Sequence, residues 1–255
     1  MSSIPDSLRS ALRPITVVCG HYGVGKTNFS VNLACDLAAE GATVTLIDLD
    51  VVNPYFRASE QREGLEAKGV RLISPVFAEK GTSLDVPSLT GAIEPALADV
   101  ADDEFVIVDL GGDDVGAAAI GRFAKTANAR GLAMLYVLNR HRYLVSDPAE
   151  AVEILREIEA ASHLTATALV DNAHLGSETT LEALLDEEGY AQAVGDLCGL
   201  PLVAKTYPAW IVDASSMQDD GKINSSSAYA IHWYVRSPWD EDGERRECNG
   251  EDDRR

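Results

Sequence analysis

Cysteine is scarce and scattered. The 255 residues hold four, Cys19, Cys35, Cys198 and Cys248, with no C-x-x-C pair. That excludes a disulfide framework, a cysteine-paired cluster and a zinc site from the expected chemistry. Cys19 and Cys35 fall in a core strand and the helix after it, where a free thiol acts as a small apolar residue. The five histidines, His21, His141, His163, His174 and His232, are equally dispersed, so no metal site made by protein alone is expected. Positive charge is the second shortage. Asp and Glu number 41 against 21 Lys and Arg, for a formal net charge of −20, and lysine is scarce beside arginine. A protein that coats nucleic acid needs a basic face to release counterions, and the field here opposes both DNA and anionic membranes. The acid-rich, lysine-poor composition also fits a salty habitat. No apolar run approaches the ~20 residues of a membrane span. Met1-Ser2-Ser3-Ile4-Pro5-Asp6 lacks a basic start and an apolar core, so no signal peptide is expected and the expected location is cytoplasmic. At 46% hydrophobic, the chain can bury one sizeable α/β core, whereas two full domains would be cramped. It carries no internal repeat.

Glycine, by contrast, is placed with purpose. Gly20-His21-Tyr22-Gly23-Val24-Gly25-Lys26-Thr27 completes the G-x-x-x-x-G-K-[ST] pattern. The β-branched run Ile15-Thr16-Val17-Val18-Cys19 before it reads as a buried strand. After it, Phe29, Leu33 and Leu37 recur at helical spacing, with Gly41 as a stop. Strand, glycine loop and helix together predict nucleoside triphosphate binding. The glycines let backbone N–H groups of the loop, including those of Val24 and Asn28, close around phosphate, and the helix N-terminus adds its dipole. Lys26 is placed to reach the β- and γ-phosphates, and the Thr27 hydroxyl to ligate Mg²⁺.

The rest of the chain alternates. Strands are predicted at Ala42–Asp48, Val70–Ile73, Glu104–Asp109, Gly131–Leu138, Leu164–Val170 and Leu202–Ala204, where the series closes. Helical patterns run from Ser88 to Val100, where Pro95 implies a kink or a late start, and from Ser177 to Leu197. Another opens at Asp147, an N-cap followed by Pro148 and Glu150, and runs to about Ala161. This alternation predicts an α/β fold, a mostly parallel sheet with helices on both faces in three layers, α/β/α. Ligands of such sheets lie beyond the carboxyl ends of the strands. Residues 15–210 form the expected nucleotide-binding domain, flanked by an N-terminal extension (1–14), a C-terminal extension (211–239) and an acidic tail (240–255) read as disordered.

Carboxylates stand where that rule needs them. Asp48 and Asp50 close one strand, and Asp109 closes another before Gly111 and Gly112. Asp109 is a candidate to hold a Mg²⁺-bound water, and the glycine after it to present an N–H to the γ-phosphate and move on hydrolysis. Asp50 is a candidate to orient the attacking water, while Asp48 supports the Lys26 and Mg²⁺ cluster. Asn172, at another strand end, either hydrogen-bonds the base or forms a turn. Asn139-Arg140-His141-Arg142 either reaches the crevice or is a solvated loop feeding the helix at Asp147. His21 either pairs with phosphate when protonated or is simply exposed.

The ordered set Gly20 to Asn28 with Asn32-Leu33-Ala34, then Leu46-Ile47-Asp48-Leu49-Asp50-Val51-Val52-Asn53-Pro54-Tyr55-Phe56-Arg57, then Val108-Asp109-Leu110-Gly111-Gly112-Asp113-Asp114 resembles the MinD/ParA/CobQ-like P-loop ATPases of the SIMIBI class. The resemblance runs from about Ile15 to Lys205, and Asn53–Arg57 and Gly111–Gly116 narrow it to a bacterial nucleotide-binding subgroup. It implies ATP rather than GTP, with Mg²⁺, and a nucleotide sandwiched in a homodimer in many relatives. It also implies phosphate and metal binding by Lys26 and Thr27, Asp50 as the switch-I carboxylate and Asp109 as the Walker-B carboxylate. One departure stands out: His21 and Tyr22 replace the signature lysine and the glycine after it. A neutral imidazole cannot stand in for a fixed ammonium, so either turnover is slow or a group such as Arg57 or Arg140 supplies the charge. The expected function is an Mg²⁺-dependent ATPase acting as a switch for a protein partner. The alternatives are an ATP-dependent biosynthetic enzyme of the dethiobiotin-synthetase or cobyrinate-amidase type, with a small-molecule substrate beside Tyr55, Phe56 and Arg57, and a nucleotide-gated adaptor with little turnover.

Overall fold

A computed structural model describes residues 4–50, 62–74, 91–101, 103–112, 114–185, 189–211 and 226–234. Its centre is an eight-stranded sheet in the order β3-β2-β4-β1-β5-β6-β7-β8. The strands are β1 (Ile15–Cys19), β2 (Thr43–Leu49), β3 (Val70–Ile73), β4 (Glu104–Leu110), β5 (Leu132–Leu138), β6 (Ala168–Asp171), β7 (Leu202–Pro208) and β8 (Ala228–Ile231). All seven pairings are parallel. Every residue of β1 is buried, as a strand covered on both faces requires, which is why its sequence is an unbroken apolar run rather than an alternation. Because the strands are parallel, all their carboxyl ends share one edge. In parallel sheets ligands lie at that edge, and here β1 is flanked there by β4 on one side and β5 on the other.

The helices are α1 (Asp6–Ala11), α2 (Lys26–Ala39), α3 (Arg62–Ala67), α4 (Ile93–Ala98), α5 (Asp114–Gly121), α6 (Ala124–Ala129), α7 (Pro148–Ser162), α8 (Leu181–Leu185) and α9 (Tyr190–Cys198). The α2 side chains Phe29, Leu33 and Leu37 are fully buried in the main core. Helix α7 starts as its cap predicts: Asp147 Oδ1 accepts from Ala149 N at 2.8 Å, with Pro148 at the first helical position. Among the described residues no helix is long and apolar enough to cross a membrane.

Four differences from the sequence reading have physical reasons. The strand expected over Leu164–Val170 begins only at Ala168, because the residues before it bond to side chains. Glu159 Oε1 accepts from Ala166 N at 2.8 Å, and Thr167 Oγ1 accepts from Met134 N at 3.1 Å. The helix expected from Ser88 begins at Ile93 among the described residues, which puts Pro95 in its first turn, where its missing N–H costs nothing. The pattern over Ser177–Leu197 divides into a 3₁₀ turn at Gly176–Glu178, α8 and α9. The strand series also does not close at Ala204: β7 runs to Pro208 and β8 pairs beside it. The two flanking segments therefore feed the main fold. In α1, Leu8 is fully buried and Ser7 Oγ donates to Val203 O of β7 at 2.7 Å. In β8, Tyr229 is fully buried, and its hydroxyl donates to Asp36 Oδ2 of α2 at 2.7 Å. The acidic tail at 240–255 and the segment Asn53–Arg57 lie outside the described residues.

Candidate functional site

The loop between β1 and α2 crosses the carboxyl edge of the sheet, and its shape depends on glycine. Gly25 is left-handed, with φ +88°, and a Cβ there would stand 2.8 Å from His174 Nε2. From the other side, Gly112 after β4 comes so close that its Cβ would lie 2.7 Å from Tyr22 N and 3.0 Å from Lys26 Nζ. Only a residue without a side chain fits between β4 and the loop. Lys26, at the start of α2, is 5% exposed. Its Nζ donates to His21 O at 3.0 Å and lies 5.8 Å from the Tyr22 ring centroid.

The carboxylates stand at the ends of β2 and β4, on one side of β1. Asp48 and Asp109 are register partners across these strands. Asp48 Oδ1 accepts from Asp50 N at 3.1 Å, and both β2-end carboxylates are buried. Asp109 is fully buried. Its Oδ1 accepts from Ser30 Oγ at 3.1 Å, while Oδ2 has no hydrogen-bond partner. Burial, followed by the charge of Asp48, pushes the Asp109 carboxyl up to about 7; the Thr27 hydroxyl and Lys26 ammonium pull against that shift. A buried carboxylate oxygen without a partner is costly. A cation held by hard oxygen donors, the Asp109 carboxylate and the Thr27 hydroxyl, would relieve that cost and matches the ligand preference of Mg²⁺. Among the described residues, no three His, Cys, Asp or Glu side chains converge into a metal-holding group.

On the other side of β1, amides hold the loop. Asn172, 1% exposed, donates from Nδ2 to Val24 O at 2.7 Å, and its Oδ1 accepts from Thr206 Oγ1 at 2.5 Å. Its amide therefore spans from β7 to the glycine loop. Asn139 is fully buried; it donates to His174 O at 3.1 Å and accepts from His141 N at 3.1 Å. Asn28, grouped by sequence with the phosphate loop, turns its side chain elsewhere. Nδ2 donates to His232 O at 2.9 Å, and Oδ1 accepts from Tyr234 N at 2.9 Å.

Of the residues around the loop, His174 carried no sequence signal, while Arg142 and His21 had two readings each. Arg142 donates from Nε to Gly23 O at 2.7 Å, so part of the loop at 139–142 lies directly against the glycine loop. His174 packs beside Gly25, and burial, aided by Arg142, pushes its imidazole down to about 4. His21 is also pushed down, by burial and then by Lys26, and its Nδ1 accepts from Tyr22 N at 2.6 Å. The spacing Asn28-x-x-x-Asn32 was a usable sign that two amides share one helix face. Arg57, Tyr55, Phe56 and Asp113 lie outside the described residues.

Residues 15–187 match the model of the "CobQ/CobB/MinD/ParA nucleotide binding domain". The "Iron-sulfur cluster carrier protein" of Deinococcus radiodurans is 39% identical over 114 residues, covering 38% of this chain and 33% of that protein. The matched stretch is thus about a third of the relative's length. Among solved structures, FtsY from Mycoplasma mycoides aligns with TM-score 0.50 and 14% identity, over 77% of this chain and 60% of that one. FtsY from Thermotoga maritima aligns with TM-score 0.48 and 18% identity, over 81% and 64%. At such identities the first of these speaks to the fold alone.

Proposed function

The chain belongs to the CobQ/CobB/MinD/ParA family of nucleotide-binding domains, and from that premise we propose that it is an Mg²⁺-dependent ATPase whose nucleotide state switches a conformation read by a protein partner. The observation that carries this reading is the buried Asp109, with one oxygen unpartnered beside Thr27 and Lys26. Thr27 and Asp109 would hold Mg²⁺, with Asp48 behind them. When bound, the ion would supply neutralising charge to the phosphates. Lys26 would leave the His21 carbonyl for the β- and γ-phosphates, and the loop amides would carry the rest of the anionic charge. Asp50 would orient water for in-line attack. Gly112, which touches both Tyr22 and Lys26 without a side chain, would report the γ-phosphate to β4.

The neutral His21 favours a second reading, a nucleotide-gated adaptor with slow turnover. Its imidazole is disfavoured as a cation and already accepts from Tyr22 N. Arg142, set on the Gly23 carbonyl, joins Arg57 and Arg140 as a candidate to supply the missing charge. Phosphate release from Mg-ATP and Mg-GTP by the purified protein, with Lys26→Ala and Asp50→Ala beside it, tests the assignment. ATP-selective release lost in Asp50→Ala is the expected result. Binding without release supports the adaptor, and intact nucleotide binding by Lys26→Ala refutes the site.

A further inference from the structure

The two flanks of β1 differ in chemistry. Asp48, Asp50 and Asp109 lie on the β2 and β4 side, while the amides and aromatics lie on the β5, β6 and β7 side. A triphosphate whose γ end meets the carboxylates would extend across β1 toward the β5, β6 and β7 side. There the chain builds an aromatic shelf. His174 abuts Gly25, Trp233 meets His174 edge to face at 5.8 Å, and Trp210 meets Trp233 at 5.6 Å. Trp210 is 41% exposed and Trp233 half-buried, so neither is spent on the core. The His174 ring, pushed down to about 4 by burial and then by Arg142, is neutral at pH 7.

Trp233 does not reach this place by chance packing. The segment after β8 is bolted to the first turns of α2 by side-chain amides that imitate a strand edge. Asn32 Oδ1 accepts from His232 N at 2.7 Å, and Asn32 Nδ2 donates to His232 O at 2.8 Å. Asn28 adds its bonds to His232 O and Tyr234 N. The backbone on both sides of Trp233 is therefore fixed to the helix that begins with Lys26 and Thr27.

We propose that Trp233, with Trp210 and His174, is the stacking platform for the base of the bound nucleoside triphosphate, and that Asn28 and Asn32 are positioning residues that dock it against the phosphate loop. This rests on the reading of the loop as a nucleotide site. It makes the segment after β8 part of that site, and it assigns base affinity to π-stacking, which tolerates different bases.

The test compares Mg-ATP, Mg-GTP and Mg-tripolyphosphate, which has phosphates but no base, on the full chain by calorimetric titration. Trp233→Ala is expected to weaken both nucleotides about tenfold and leave tripolyphosphate unchanged, with Trp233→Phe recovering most of the loss. Asn32→Leu should weaken nucleotides and spare tripolyphosphate in the same way. If wild type binds nucleotide and Trp233→Ala binds it equally well, the platform is wrong while the nucleotide site stands. An equal loss of tripolyphosphate also overturns it, because the indole would then only support the loop. If wild type binds none of the three, the nucleotide reading itself falls. Should Trp233→Ala not fold, tryptophan emission in a Trp239→Phe background decides: quenching by ATP but not by tripolyphosphate supports the platform, and any other pattern overturns it.

Discussion

Asp109→Asn should make the nucleotide-free protein more stable, and increasingly so as the pH rises. In the folded chain the Asp109 carboxyl is raised from 3.8 to about 7, chiefly by burial and next by Asp48. A carboxyl raised on folding destabilises the native state wherever the unfolded chain has already lost the proton. The penalty is absent below about pH 4, grows between 4 and 7, and is complete above 7. With about 1.4 kcal/mol per pKa unit, it amounts to roughly 1–2 kcal/mol at pH 5 and roughly 4 kcal/mol at pH 8. These are upper limits, because an asparagine amide there must find its own partner at a cost of about 1–3 kcal/mol. The difference between the two pH values, roughly 2–3 kcal/mol, is less affected by that cost. Urea unfolding of both proteins at pH 5 and pH 8, with chelator present, measures it. An increment that is the same at both pH values, or that shrinks at pH 8, refutes a charged, under-solvated Asp109. The same variant should lose Mg-dependent turnover.

Other consequences follow from the close contacts around the loop. Gly112→Ala would force a Cβ to within 2.7 Å of Tyr22 N. Such overpacking costs about 1–3 kcal/mol, and calorimetry should show nucleotide affinity falling more than tenfold as the loop is displaced. Asn172→Leu removes the link between Val24 O and Thr206. Thermal unfolding should register a loss of about 1–3 kcal/mol for the stranded groups, together with weaker nucleotide binding.

The strand–loop–helix unit was legible because each level agrees: β1 is an unbroken apolar run, the glycines sit in the loop, and α2 carries its core residues at helical spacing. Asp48 and Asp109 could be placed near one another because both end strands of one parallel sheet. Their cross-strand register could not, since β4 follows β3 in the chain yet lies between β1 and β2. The contacts of Arg142, named only as part of a loop with two readings, and of His174 could not be read from the sequence for a related reason. Their importance comes from touching Gly23 and Gly25, more than a hundred residues earlier. Strand β8 carries little signal because it is only four residues long and lies far along the chain. The ends of the stretch at 164–170 misled the reading because Thr167 and Glu159 satisfy backbone groups that a strand would have paired.

The position of β7 and β8 bears on how the chain can be cut. The matched family region stops at residue 187, before either strand. A fragment ending there would leave the edge of β6 open to pairing with other chains, an invitation to aggregate. It would also leave Leu8 of α1 without β7 beneath it, and Asn28 and Asn32 without the backbone they hold. A domain boundary drawn at the end of the matched region would thus discard backbone that α2, the helix beginning with Lys26 and Thr27, holds through Asn28 and Asn32.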